Sequence, residues 1–439
     1  MQHRYPGRFL LVLILATSGM NVMADTPTAE EMWEIIQQQQ QTIEELKGEL
    51  AKTGEKAAAA ESKAEAANRN VEAAADAIEE AGSAAGGGRS WTDKTTIGGY
   101  GELHYNNLDD ENDAIGGNDN VDRVDFHRFV LYFGHEFTDR LRLFTELELE
   151  HALAGEGQPG EVELEQAWIE MDLTQTHRAR AGLDILPIGI INPTHEPNTF
   201  YGVERNRVES EIIPATWWEA GAGFNGEVAP GWNYDLFAHS GLAVPTTGGS
   251  AFRPRSGRLK VANADDQDIA FTGRLRYTGM PGLEVGIAGQ YQNDITGTAD
   301  SLDIQATLLE GHIDYRHASG FGLRALYARW DMDDGPAGIG PQAFNADTLD
   351  GWYVEPAYRF QLPGDMWGEA GVFGRYENWD ERNNIGGSHR FEEFSRWVAG
   401  INWWPHENVV LKFDYQDEDA DGPVDAVFDG VNLGIGYQF

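Results

Sequence analysis

From Thr95 to Phe439 apolar residues return at every second position, in run after run. Side chains on a strand point alternately to opposite faces, so this period demands strands with one apolar side. The final run shows it best: Val431, Leu433, Ile435, Tyr437 and Phe439 alternate with Asn432, Gly434, Gly436 and Gln438. Sixteen such runs lie near 95–106, 121–137, 139–151, 162–173, 177–186, 215–228, 231–241, 267–278, 281–292, 302–316, 319–331, 349–361, 364–379, 391–404, 407–416 and 428–439. The alternation slips in 121–137 and 162–173, which leaves two registers open there.

A soluble sandwich would satisfy the alternation too, with the apolar side against a second sheet. The connections favour a closed barrel in a membrane. Short ones at Thr138-Asp139, Thr174 to Thr176, Pro230-Gly231, Met280-Pro281, Ser319-Gly320, Pro363-Gly364 and Pro405-His406 take turns with long ones rich in Asp, Asn and Gly. Most runs reach the ~9–11 residues that a tilted membrane strand needs. An even strand count with short periplasmic turns and long external loops is the pattern of a bacterial outer-membrane barrel. The expected fold is an all-β transmembrane barrel of 16 antiparallel strands over 95–439, its apolar side on lipid and its polar side around water. Trp217, Trp218, Trp352, Trp367, Trp403 and Trp404, near strand ends, fit interfacial girdles or interior packing.

The N-terminal residues fit that destination. Arg4 and Arg8 precede an apolar run from Phe9 to Ala16, and Val22-Met23-Ala24 supplies small residues for cleavage, so 1–24 reads as a secretory signal peptide. No later segment offers the ~20 apolar residues of a membrane helix, so any downstream span is made of strands. Over 25–81 a seven-residue step runs through Ala29, Ile36, Ile43, Leu50, Ala57, Ala64, Val71 and Ile78, with a second seam at Met32, Gln39, Leu46, Thr53, Ala60, Ala67, Ala74 and Ala81. These are the a and d seams of an α-helical coiled coil, placed in the periplasm. Residues 82–94, beginning Gly-Ser-Ala-Ala-Gly-Gly-Gly, read as a linker.

With 32 basic and 72 acidic side chains, net charge −40, the chain is no partner for nucleic acid. It has no cysteine for a disulfide or a thiolate metal site. The acidic long loops read as solvated, or as oxygen clusters bridging divalent cations to lipid phosphates, and none has calcium-loop spacing. His195-Glu196 lacks the second histidine of a zinc-protease motif, no G-x-S-x-G occurs, and Gly98 to Gly101 is a strand run; neither an enzyme nor a cofactor is expected.

Strand parity turns Arg128, Arg142, Arg178, Arg180, Arg274, Arg276, Arg324, Arg359, Arg375 and Arg396 inward, as candidate pore-lining residues. Facing them are Glu102, Glu146, Glu148, Glu170, Glu219, Glu310, Asp314, Glu355, Glu369 and Glu377. Each arginine reads either as part of a path for anions or as a wall ion pair. The most crowded long connection, Leu186 to Pro214, is the third on the long-loop side and mixes aromatics, prolines and both charges. Loops of this length without secondary structure are usually functional or disordered.

Signal, coiled coil, sixteen runs and terminal Phe439 resemble a Gram-negative trimeric porin. The stretch Asn192 to Gly223, with His195-Glu196-Pro197, Phe200 to Arg205 and Ile212-Ile213-Pro214, is similar to the phosphate-selective porin O and P family. That resemblance implies a homotrimeric passive channel whose third loop folds inward, with His195, Glu196, Tyr201, Glu204, Arg205 and Arg207 at the pore constriction and arginines leading anions through. The chain departs from the family in its lysines: beyond residue 90 it has only Lys94, Lys260 and Lys412. The rival reading is a general or cation-preferring porin that also tethers the outer membrane to peptidoglycan through its coiled coil. In either case the partners are outer-membrane lipid and lipopolysaccharide.

Overall fold

Each period-two run forms a strand, and each strand pairs antiparallel with its sequence neighbours. In the computed structural model these are β1 (Thr95–Asp110), β2 (Val121–Thr138), β3 (Leu141–Glu150), β4 (Val162–Asp172), β5 (His177–Ile185), β6 (Trp218–Ala229), β7 (Trp232–His239), β8 (Ala270–Met280), β9 (Leu283–Gln292), β10 (Ala306–Arg316), β11 (Phe321–Met332), β12 (Thr348–Gln361), β13 (Glu369–Asn383), β14 (Arg390–His406), β15 (Val409–Ala420) and β16 (Phe428–Gln438). β16 returns to β1 and closes the barrel, with Tyr100 opposite Gln438 and Asp110 opposite Phe428. The Phe439 N–H donates to the Gly99 carbonyl at 2.9 Å, and the Phe439 carbonyl accepts from the Gly99 N–H at 3.0 Å. Closure leaves no strand edge.

The structure describes residues 91–439 except 112–119, 156, 263, 265–267, 298–301, 365–366, 384–389, 423 and 425, together with Trp33, Gln37, Gln40 and Lys47, which are helical. Apart from those four positions, the expected signal peptide and coiled coil lie outside the described residues. So does the linker, except for its end, where Trp91–Lys94 forms a 3₁₀ turn and the Trp91 ring stacks on His135.

The two slips in alternation are β-bulges. Phe126 and His127 of β2 together oppose Leu103, between the pairs Glu102–Arg128 and His104–Asp125. Glu165 of β4 is an extra residue between the pairs Glu146–Gln166 and Leu147–Leu164. A bulge resets parity, so the residues beyond it return to the same face.

The outer face carries the apolar side: Ile287 is 62% exposed, Leu309 59% and Trp397 62%, with Phe271, Ile401, Phe413, Leu433 and Ile435 beside them. A continuous band of this kind is far beyond what soluble monomers leave bare. The inner face is only partly polar. Towards the long-loop end, Ala306, Leu308, Ala328, Trp330 and Leu349 turn inward and pack on Leu186, Ile190, Val208, Ile212 and Trp217 of the third long connection and on Leu242, Val244 and Phe252 of the fourth. The expectation of a charged inner wall enclosing solvent therefore fails at the long-loop end of β10–β12, because two loops bury their apolar side chains there. The tryptophans divide accordingly. Trp352 and Trp367 are exposed, whereas Trp217, Trp218 and Trp404 are buried.

Candidate functional site: the inward loops and the lumen

The segment between β5 and β6, Leu186 to Trp217, lies inside the barrel. It lacks a sheet ladder, so its backbone groups need other partners. Wall side chains supply them: Arg128 donates to the His195 carbonyl at 2.7 Å, Arg324 to that of Thr199 at 2.8 Å, Asn402 to that of Phe200 at 3.1 Å and the Trp330 indole to that of Ile212 at 2.8 Å. Asp414 accepts from the Val203 N–H at 2.6 Å and Glu377 from the Arg207 N–H at 2.5 Å. Asn192 ties the base of the loop, donating to the Leu186 carbonyl and accepting from the Trp217 N–H, both at 2.8 Å. Buried Glu209 organises its middle. One carboxylate oxygen accepts from the N–H groups of Ile190 and Ile191 at 2.5 and 2.6 Å, and the other from Asn206 at 3.1 Å and the Tyr353 hydroxyl at 2.9 Å.

Of the six residues expected at a constriction, five make side-chain contacts with the wall. The His195 ring faces Glu146 at 3.3 Å and Glu165 at 3.5 Å from one nitrogen, and the Asn192 carbonyl at 3.0 Å from the other. Burial alone would favour neutral imidazole, but the two carboxylates outweigh it and raise His195 to about 10. Glu196 accepts from the Tyr132 hydroxyl at 3.4 Å. Tyr201 packs between Phe373 and Trp404, with ring centroids 5.3 and 5.7 Å away. Glu204 meets His104 at 3.1 Å and Asn106 at 3.0 Å. Arg207 pairs with Glu381. Arg205 differs: its guanidinium donates to the Thr216 hydroxyl at 3.0 Å, and among the described residues no carboxylate lies within 4.0 Å of it.

All ten wall arginines have acidic partners. Arg128 pairs with Glu102 at 2.5 Å, Arg142 with Glu170 and Asp172, Arg178 with Asp172, and Arg180 with Glu170 and Asp184. Arg274 pairs with Asp235, Arg276 with Glu284, Arg324 with Asp314, Arg359 with Glu369, Arg375 with Glu355 and Glu377, and Arg396 with Glu377. Glu219 and Glu310, expected to oppose arginines, instead meet Ser240 and Trp217, and His312.

Among the described residues, Lys412 of β15 has no carboxylate within 4.0 Å and stands over the Phe200 ring at 3.6 Å, and arginines without such a partner are found on the inward loops. The connection between β7 and β8 also folds inward, where Arg255 donates to the carbonyls of Ser210 at 2.7 Å and Ala215 at 2.6 Å, and Arg258 to the carbonyl of Thr216. Like Arg205, neither has a carboxylate within 4.0 Å among the described residues; their neighbour Arg253 pairs with Glu211. Burial lowers the pKa of all three, and neighbouring guanidinium groups add to it: Arg128 on Arg205, Arg258 on Arg255 and Arg205 on Arg258, with Arg255 pushed to about 9. An anion among these groups would relieve that repulsion.

The third loop borders two lumen cavities, and the β7–β8 loop borders the first of them. One of about 670 Å³ lies towards the long loops and is lined by nine carboxylates and nine Arg or Lys side chains, Arg205, Arg255 and Arg258 among them. The other, of about 560 Å³, lies towards the short turns and has five arginines against Glu284, Asp314 and Glu355. Phe200 borders both. The linings of these two cavities are thus neutral to basic in a chain of net charge −40.

No family model matches the chain. An uncharacterized protein of Aquifex aeolicus (strain VF5) is 31% identical to it over 344 residues, 74% of this chain and 76% of that protein. The chain belongs to the same family as that protein. Among solved structures, the anion-selective porin from Comamonas acidovorans is similar with a TM-score of 0.51 at 12% identity, over 79% of this chain and 99% of that one. Salmonella typhi OmpF, in a complex with daunomycin, gives 0.51 at 13%, over 79% and 97%. The outer membrane channel DcaP of Acinetobacter baumannii gives 0.50 at 12%, over 79% and 97%. At these identities the likeness is one of fold: this chain shares the closed, sixteen-stranded barrel architecture with those structures.

Sequence reading missed Glu209, Arg255 and Arg258. Glu209 stands in a charged stretch where any Glu looks like a lumen charge. Arg253, Arg255 and Arg258 do form a cluster in an otherwise acidic half of the chain, and that local excess of arginine was the available signal.

Proposed function

We propose that the chain is an outer-membrane porin through which small hydrophilic solutes and ions diffuse passively, with anions such as phosphate favoured at a passage narrowed by the third loop. The barrel spans the outer membrane of a Gram-negative bacterium with its apolar band on lipid and lipopolysaccharide, long loops outside and coiled coil in the periplasm; it assembles as a homotrimer, as the porin resemblance implies. The observation that carries the preference for anions is the separation of charge: the ten arginines expected along the wall are paired with carboxylates, while Arg205, Arg255 and Arg258 are not. Within roughly 8 Å, the screening length at physiological salt, these three cations govern the local potential. His195, Glu196, Tyr201, Glu204 and Arg207 hold the loop, and Arg205 faces the solute.

The nine carboxylates of the long-loop cavity favour a second reading, a general or cation-preferring channel that also tethers the membrane to peptidoglycan through the coiled coil. Reversal potential in a salt gradient across a planar bilayer separates the two. Anion preference is expected for the wild type, with a large shift towards cations in Arg205→Glu and Arg255→Glu and a smaller one in Arg207→Glu, whose charge Glu381 already balances. Unchanged selectivity in Arg205→Glu and Arg255→Glu would remove the loop cations from the conducting path.

A further inference from the structure

Strict alternation from inward Arg128 would send His127 and Asp125 to the outer face. The bulge at Phe126-His127 reverses this: Asp125 pairs with inward His104, and the His127 ring lies parallel to that of His104, 4.7 Å away at 10°. A third group arrives from the end of β3. His151 holds φ 50°, a left-handed conformation unusual for a residue with a side chain, and its N–H donates to the His127 carbonyl at 3.0 Å. That turn brings its Nδ1 to 2.8 and 2.9 Å from the two Asp125 oxygens, while the Nδ1 of His127 lies 3.4 Å from one of them. One donor atom from each of the three residues falls within 4.8 Å of the other two.

We propose that Asp125, His127 and His151 form a binding site for a divalent first-row transition metal, of the Zn²⁺ class, at the edge of the long-loop cavity. Tetrahedral Zn²⁺ with ligands at about 2.0–2.1 Å separates donor atoms by roughly 3.3 Å, close to the 3.4 Å between His127 and Asp125. The tighter His151–Asp125 contact is a hydrogen bond whose proton the metal would replace. Two imidazoles and one carboxylate select such ions over Ca²⁺ and Mg²⁺, which prefer all-oxygen shells, and three protein ligands leave a coordination position open. His104 is not a ligand, because Glu102 and Glu204 occupy its two nitrogens at 3.2 and 3.1 Å. It links the site to the third loop instead. The other such group among the described residues, Glu146, Glu165 and His195, is wholly buried and serves as a loop anchor.

Titration of the detergent-solubilised full chain with Zn²⁺ tests this, and because it reads binding it stands apart from the channel reading. Zn²⁺ should bind with a sharp site that excess Ca²⁺ does not displace. His127→Ala, His151→Ala and Asp125→Asn should each weaken it by about a hundredfold or more, since even loss of a residue that only hydrogen-bonds a ligand costs ~10–100-fold. His135→Ala, at the short-turn end beside Thr95, should bind as the wild type does. His127→Gln keeps a planar group over His104 and guards against misfolding as the cause. Absence of Zn²⁺ binding in the wild type, or equal binding in folded His127→Gln and His151→Ala, overturns the proposal.

Discussion

At the scale of single residues, the third loop depends most on Glu209. Four donors converge on its carboxylate, and the loop has no ladder to replace it. Glu209→Ala leaves buried donors without acceptors at about 1–3 kcal/mol each. A lower thermal unfolding midpoint and a higher single-channel conductance are expected, as the loop lifts from the wall. Glu209→Gln keeps one acceptor oxygen and should fall between. An unchanged midpoint and conductance in the alanine variant would show that the loop is held elsewhere. The role was hidden in the sequence because a carboxylate aimed at backbone N–H groups and one aimed at water have the same neighbours in the chain.

At the scale of elements, what the loops require from the wall is room. A Cβ at Gly436 of β16 would stand 2.5 Å from the Pro197 side chain, whereas one at Gly434 would meet Val203 at 3.2 Å, a distance that a small shift relieves. Gly436→Val should therefore cost about 1–3 kcal/mol as an overpacked contact and loosen the loop, and Gly434→Ala much less. Limited chymotrypsin digestion reads this, with faster cleavage near Phe200-Tyr201 expected in Gly436→Val alone. The terminal strand was legible as a strand, but its small inward residues were legible only as something small facing inward; that they make way for Pro197 required the loop to be in place. The bulges tell the same story. Slipped alternation in β2 and β4 was visible, and the structure places His127 and Glu165 at the extra positions.

At the scale of the whole molecule, the barrel is apolar outside and mixed inside, the reverse of a soluble fold. The chain should need detergent or lipid to remain dispersed, and should run with different mobilities in unheated and heated SDS samples as the barrel opens; a stable monomer in detergent-free buffer would contradict the membrane reading. The sequence by itself determined the strand number, the place of the short turns, except that the one at Pro363-Gly364 extends over 362–368, and which side of nearly every strand is apolar. It could do so because a period of two and a turn are local: each depends on residues a few positions apart. Only the tertiary structure decided that the ten arginines expected along the pore are each paired with a carboxylate, that a second loop also enters the lumen, and that Arg205, Arg255 and Arg258 lie together without one among the described residues. Charge pairing across a barrel joins residues separated by many strands, such as Arg207 and Glu381, and buried loop contacts are set by the shape of the enclosed space rather than by any repeat in the chain.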